Sequence, residues 1–327
     1  MPDTAAVDLV AEQSRLGGLE RWLADPTVDE LLVNGGGEIW VDRAGRLGPV
    51  GRMRATTLMA AIEQLLAPTG RRVDRAQPMV EARLDDGSRV CAAIPPVSVD
   101  GPCLSIRRFS PRSLPLASFA PEAVASLLRA LVDTRANIVV SGATSSGKTT
   151  LLTALAAHVA PHERIVTLED TAELRLQHPH VVRLEARDAT PDGVDAITLT
   201  ELLRTALRLR PDRLVVGEIR GSEAIDLLQA LNTGHDGSMA TLHANGPVDA
   251  LARLSSLVLR GAANWPLASV RDHVTRAVDA VVHVERCADG TRRVVAVAEV
   301  EPDCEVPTTR PLADHETVLA SPTRTRR

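Results

Sequence analysis

The sequence predicts an α/β protein: a larger domain built on a mostly parallel sheet covered by helices, preceded by a smaller α+β domain. Three observations carry this. After residue 121, apolar strand-like runs alternate with helical ones (Ile138–Ser141, Ile165–Leu168, Val181–Leu184, Leu214–Val216, Met239–Leu242, Val281–Val284), a pattern that places ligands at the carboxyl ends of the strands. Between Phe109 and Pro121, three prolines interrupt any regular element. Before that break, short alternating runs and glycine turns read as hairpins. Residues 1–108 are thus read as the amino-terminal domain, 109–121 as a linker, 122–305 as the larger domain and 306–327 as a loosely ordered tail.

In the first domain, Glu30-Leu-Leu-Val33 and Glu38-Ile-Trp-Val41 flank the turn Asn34-Gly-Gly-Gly37. No helical period follows those glycines, so they are a turn and not a dinucleotide fingerprint. A helical run covers Thr56 to Leu66. Val80, Ala82 and Leu84 then alternate with polar residues up to Asp86-Gly87, and Val90, Ala92 and Ile94 continue the alternation on a return strand.

In the second domain, Asn137-Ile-Val-Val140 leads into Gly142-Ala143-Thr144-Ser145-Ser146-Gly147-Lys148-Thr149, followed by Thr150 and a helical run of Leu151, Leu152, Leu155, Ala156 and Val159. Strand, glycine loop and helix in this order make a P-loop. Its glycines let the backbone curl around an anion, its N–H groups and the helix dipole face phosphates, and the Thr149 hydroxyl can ligate Mg²⁺. Lys148 is the only lysine among 37 basic residues. A chain that uses arginine everywhere else keeps here a compact ammonium that fits between β- and γ-phosphates.

Other strand ends carry candidate partners. Arg164-Ile-Val-Thr-Leu-Glu-Asp170 closes on Glu169 and Asp170, which can hold the Mg²⁺ hydration shell or orient water; the alternative is a cap on the next helix. Arg213-Leu-Val-Val-Gly-Glu218 closes on Glu218, a candidate base for water, with a salt bridge to Arg220 as the alternative. The usual aspartate of such a strand is missing, so carboxylate contacts to the metal are expected to be largely indirect. In Thr233–His243, either His235 or His243 can sense a γ-phosphate or serve as a structural hydrogen-bonder. Thr198-Leu-Thr-Glu201 reads as a capping box opening a helix toward Pro211, with Arg204 and Arg208 on one polar face. That face is solvated by default; with Arg107, Arg108, Arg183 and Arg187 it can also converge on a phosphate from another domain or subunit.

Composition bounds the function. With 327 residues, 44% hydrophobic and 24% charged, the chain has a core's worth of apolar residues and room for two domains. A net charge of −5 and 2% aromatics argue against a base-stacking nucleic-acid surface. The acidic start Met1–Asp8 is not a signal peptide, and no apolar run reaches the roughly 20 residues of a membrane span. Four scattered cysteines without Cys-x-x-Cys read as buried free thiols in a reducing cytosol. The basic end, Thr323–Arg327, reads as solvated.

In the order SIRRF, GATSSGKTT, RIVTLEDTAEL, LRLRPDRLVVGEIRG and NTGHDGSMATLHANGP, the motifs resemble those of the type II/IV secretion ATPase superfamily, and most nearly its CpaF/TadA branch, the assembly motors of tight-adherence pili. The likeness runs from about Val28 to Val284. It implies a RecA-like ATPase domain behind a PAS-like amino-terminal domain, with Glu169–Leu174 as the Asp box, Leu214–Glu218 as the Walker B element and Thr233–His243 as the His box. It also implies a hexamer on the inner face of the plasma membrane, bound to an inner-membrane platform. ATP and Mg²⁺ would then be held between the domains, with Arg107, Arg108, Arg183, Arg204 and Arg208 approaching the phosphates.

Overall fold

The computed structural model describes residues 14–43, 45–108, 114–187, 189, 193–262, 264–287, 289–302, 306–324 and 326. The chain divides into two compact units, Met1–Pro111 and Arg112–Arg327. Residues 109–113 of the expected linker lie outside the described residues.

The first unit contains α1 (Glu20–Ala24), β1 (Glu30–Val33), β2 (Glu38–Arg43), β3 (Arg46–Arg52), α2 (Ala55–Leu66), β4 (Met79–Arg83), β5 (Arg89–Ala93) and β6 (Cys103–Arg107). Its strands form an antiparallel sheet in the order β3-β2-β1-β6-β5-β4. In α2, Leu58, Ala61, Ile62, Leu65 and Leu66 recur at helical spacing, and they share one buried cluster with Leu31, Val33, Val41 and Ile106 of the sheet. The glycine turn closes through Asn34, whose N–H donates to Glu38 O at 3.0 Å. The alternation of β4 and β5 emerges as read. Strand β3, with the sequence RLGPVGR, has none.

The second unit runs through α3 (Glu122–Asp133), β7 (Ile138–Gly142), α4 (Lys148–Ala156), β8 (Ile165–Glu169), β9 (Val181–Glu185), α5 (Leu199–Ala206), β10 (Arg213–Val216), α6 (Glu223–Leu231) and β11 (Met239–His243). It continues with α7 (Pro247–Gly261), α8 (Leu267–Ala277), β12 (Ala280–Arg286), β13 (Arg292–Val300) and β14 (Thr309–Asp314). The sheet order is β14-β13-β12-β7-β11-β10-β8-β9. From β12 to β9 all pairings are parallel, while β13 and β14 add an antiparallel edge.

A parallel sheet is buried on both faces, which is why its strands read as continuous apolar runs. Successive side chains divide between two cores. Val139, Val166, Leu168, Leu214, Val216, Ala240, Leu242 and Val281 join the helices α5 to α8. Ile138, Val140, Ile165, Val215, Met239, Val282 and Val284 join α3 and α4. The capping box opens α5 as expected: Thr198 N–H donates to Glu201 Oε2 at 2.8 Å and Glu201 N–H to Thr198 Oγ at 3.3 Å.

Three expectations are corrected. The tail is ordered from 306 to 324: β14 pairs with β13, and Leu312 and Ala313 are buried. Nor is the basic end solvated, because Arg324 Nε and Arg326 Nε grip the buried Asp279 carboxylate at 3.0 and 2.5 Å. Ion pairs and main-chain bonds hold this segment, and neither leaves a hydrophobic period to read. The thiols are not buried either: Cys91 is exposed, Cys103 and Cys287 are half-buried, and Cys304 lies outside the described residues.

Candidate active site

Strands β7, β11, β10 and β8 lie side by side and parallel, so their carboxyl ends share one edge of the sheet. The P-loop leaves β7 at Gly142, His243 closes β11 directly opposite Gly142, Glu218 follows β10, and Glu169 closes β8. Four separate sequence motifs therefore meet on one line, one strand spacing of roughly 4.8 Å apart.

Helix α4 begins with Gly147 as its N-cap, with φ +102° and no side-chain cap. Its N-cap therefore satisfies none of the first N–H groups, and these, with the positive end of the helix dipole, suit an anion. Ala143, Thr144 and Ser145 are exposed on the loop, and Ser145 holds φ +60°. Thr149 and Thr150 open the helix half-buried. Ser146 is 1% exposed, and its hydroxyl has no hydrogen-bond partner. A buried hydroxyl without a partner costs stability and marks a place prepared for one.

Lys148 is buried against its own loop: Nζ donates to Ala143 O at 2.7 Å and to His243 Nδ1 at 3.2 Å. His243 Nε2 lies 2.9 Å from Glu218 Oε1, and Arg220 Nη2 donates to Glu218 Oε2 at 2.7 Å. Burial first, then the Lys148 charge, depress the His243 pKa, while Glu218 pulls it up. A neutral ring suits both contacts, with Nδ1 accepting from the ammonium and Nε2–H donating to the carboxylate. The imidazole thereby couples the phosphate-binding lysine to the candidate base. The salt-bridge alternative for Glu218 is present as well, on its other oxygen.

Glu169 is 2% exposed; Oε1 accepts from the N–H groups of Glu173 and Leu174, both at 2.8 Å, and Oε2 has no partner. Burial dominates and pushes its pKa from 4.5 up to about 7, against those two bonds and Arg183, which lower it. The folded protein then keeps a proton that the unfolded chain releases, so stability falls as pH rises from about 4.5 through about 7. Glu169→Gln removes this titration. It is expected to be more stable than wild type near pH 8 by at most about 3 kcal/mol, with the gap closing toward pH 5, as read by chemical denaturation at both values.

The remaining candidates separate. Asp170 is half-exposed and faces Arg220 at 3.8 Å. Arg183 on β9 donates to Ala172 O at 3.4 Å, beside the Glu169 segment. Arg204 pairs with Asp226 at 3.0 Å, and Arg208 is exposed. Arg107 and Arg108 belong to the first unit, where Arg107 is exposed and Arg108 Nη1 donates to Val28 O at 3.2 Å. His235 is a correction. It precedes β11 while His243 ends it, and its Nδ1 sits 3.2 Å from Ala230 O, so it does not reach this P-loop.

Among the described residues, no group of three or more His, Cys, Asp or Glu forms a metal cage. Mg²⁺ needs none, because it keeps waters and takes one or two protein oxygens together with phosphate. The Thr149 hydroxyl and the carboxylates of Glu218 and Glu169, the last with a buried unpaired oxygen, fit such a hard cation in type. One neighbour of the loop escaped the sequence reading: Arg292, whose stem crosses Gly147 from β13.

A family model described as "Type II/IV secretion system protein" matches residues 12–313. The chain belongs to the type II/IV secretion system protein family. A putative conjugal transfer protein of Mycobacterium tuberculosis is 39% identical over 303 residues, covering 89% of this chain and 86% of that protein. The conjugal transfer protein TrbB of Rhizobium radiobacter is 36% identical over 288 residues, 85% of each chain. The type IV secretion system protein PtlH of Bordetella pertussis is 33% identical over 329 residues, 90% of this chain and 96% of PtlH. The Legionella pneumophila ATPase DotB shares the fold with a TM-score of 0.62 at 20% identity, covering 94% of this chain and 85% of DotB. The pilus retraction motor PilT with bound ADP does so with a TM-score of 0.57 at 20% identity, covering 91% and 83%. The second unit is thus the RecA-like domain that the motif order implied. No helix among the described residues is long and apolar enough to cross a membrane.

Proposed function

We propose that this family member is an ATPase that hydrolyses Mg-ATP at the P-loop and powers secretion or pilus assembly. The observation that carries the reading is the contact chain Lys148–His243–Glu218, made possible by the register that sets His243 opposite Gly142. On nucleotide arrival the Lys148 ammonium leaves the Ala143 carbonyl for the β- and γ-phosphate oxygens. The loop N–H groups and the Ser146 hydroxyl hold the remaining phosphate oxygens. Glu218 takes the proton of the water that attacks the γ-phosphorus, as the bond to the β-γ bridging oxygen breaks and ADP leaves. Thr149 would hold the Mg²⁺, which would supply neutralisation of phosphate charge. Glu169, half-protonated near neutral pH, would offer its buried Oε2 as a second protein oxygen for the ion.

The chain acts as a homo-oligomeric ring, a hexamer by family likeness, in which exposed arginines such as Arg107 and Arg208 serve a neighbouring copy. It works at the inner face of the plasma membrane against a platform of membrane proteins. The likeness to tight-adherence motors belongs to this proposal. A second reading, a DNA-transfer motor, is favoured by the conjugal-transfer names of the relatives and opposed by the net charge of −5 and 2% aromatics. Phosphate release by the full chain, with mass measured in the presence and absence of nucleotide, tests the first. Magnesium-dependent turnover by a ring is expected, and a monomer with full turnover contradicts the ring. Stimulation by DNA that falls steeply with salt would favour the second.

A further inference from the structure

Both P-loop glycines are pressed from outside by the hairpin of β12 and β13. A Cβ on Gly142 would collide with the Val284 carbonyl oxygen, and one on Gly147 would lie 2.6 Å from Arg292 Cδ and 3.3 Å from its Nε. The hairpin is therefore a wall of the phosphate loop, and Gly147 is required twice over, by its φ of +102° and by the arginine stem that fills its side-chain space. Register fixes what this wall presents. Val284 pairs with Val294, and both share the buried cluster of Leu151, Leu152 and Leu155 on α4. Two residues toward the hairpin tip on the same face, Arg286 pairs with Arg292. Two guanidiniums directly across a ladder repel each other. Arg292 also lies over Gly147, the N-cap at the positive end of α4. A guanidinium carried over the N-cap of the phosphate loop adds to the positive field that the helix N-terminus already offers a polyanion.

We propose that Arg292 is a phosphate-binding residue of the nucleotide site: its stem seals Gly147, and its guanidinium takes oxygens of the polyphosphate rather than the base. This rests on the P-loop being a nucleotide site, and it adds a ligand from outside every motif of the chain. Arginine suits the task because its planar fork binds phosphate through two parallel bonds while its stem covers backbone. The neighbouring Arg293 alternates to the other face, where it pairs with Asp289 at 3.3 Å, and is a built-in control.

The test is steady-state kinetics of the full chain with Mg-ATP and Mg-GTP, plus inhibition by inorganic tripolyphosphate. Arg292→Met keeps a stem over Gly147, so the melting temperature without nucleotide is expected to hold. Its KM for both nucleotides and its Ki for tripolyphosphate are expected to rise by about 10-fold, with kcat within about twofold. Arg292→Lys should recover part of the loss, and Arg293→Met should match wild type. A wild-type KM in Arg292→Met overturns the proposal, as does a loss confined to nucleotides that spares tripolyphosphate, which would make Arg292 a reader of the base. Wild-type protein without saturable turnover would instead sink the nucleotide reading itself, which separates the two failures.

Discussion

Glu218→Gln is expected to bind Mg-ATP within about threefold of wild type and to hydrolyse it about 10²- to 10⁴-fold more slowly, the usual worth of a positioned general base. The phosphate contacts come from the loop and Lys148, so binding survives. What is lost is the proton acceptor. The substitution also disturbs the line behind it: Glu218 accepts from His243 on one oxygen and from Arg220 on the other. A glutamine offers one acceptor and one donor, so one of the two contacts turns repulsive. Single-turnover hydrolysis beside calorimetric binding separates the two effects. Equal loss of affinity and rate would place Glu218 in binding rather than proton transfer.

Lys148→Ala is expected to weaken Mg-ATP binding by about 10²-fold and to take turnover below detection, since a charge-assisted bond to phosphate is worth roughly twice a neutral hydrogen bond. Lys148→Arg should rescue little. The ammonium sits between Ala143 O at 2.7 Å and His243 Nδ1 at 3.2 Å, a space suited to a compact charge and not to a planar fork. A second, independent readout exists. Lys148 is one cause of the depressed His243 pKa, so in Lys148→Ala the imidazole should titrate higher, measurable by NMR of the ring protons. An unmoved histidine would contradict the coupling between the two residues.

What the sequence disclosed, and what it withheld, follows from the range of each interaction. The P-loop and the strand-end acids Glu169 and Glu218 were legible because a doubly buried parallel strand is a continuous apolar run, and the residue ending it stands out. Family membership and the RecA-like fold followed from the order of those motifs. The choice between His235 and His243 was not legible. Both lie in one glycine-rich segment, and only the pairing of β11 with β7 shows that His243 faces Gly142. The burial that lifts the Glu169 pKa is likewise a product of packing. Arg292 carries no local signal at all, because its contact with Gly147 joins residues far apart in sequence through a hairpin register. The tail misled for a related reason: its order rests on Asp279 gripping Arg324 and Arg326, and charge pairs across a fold leave no period.

The central claim is that the loop from Gly142 to Thr149 binds a nucleoside triphosphate. Titrating Mg-ATP into the folded full chain in a calorimeter tests it most directly. Saturable heat, abolished by Lys148→Ala and competed by ADP, is the predicted result. No heat of association from wild-type protein whose fold is verified by circular dichroism would contradict it.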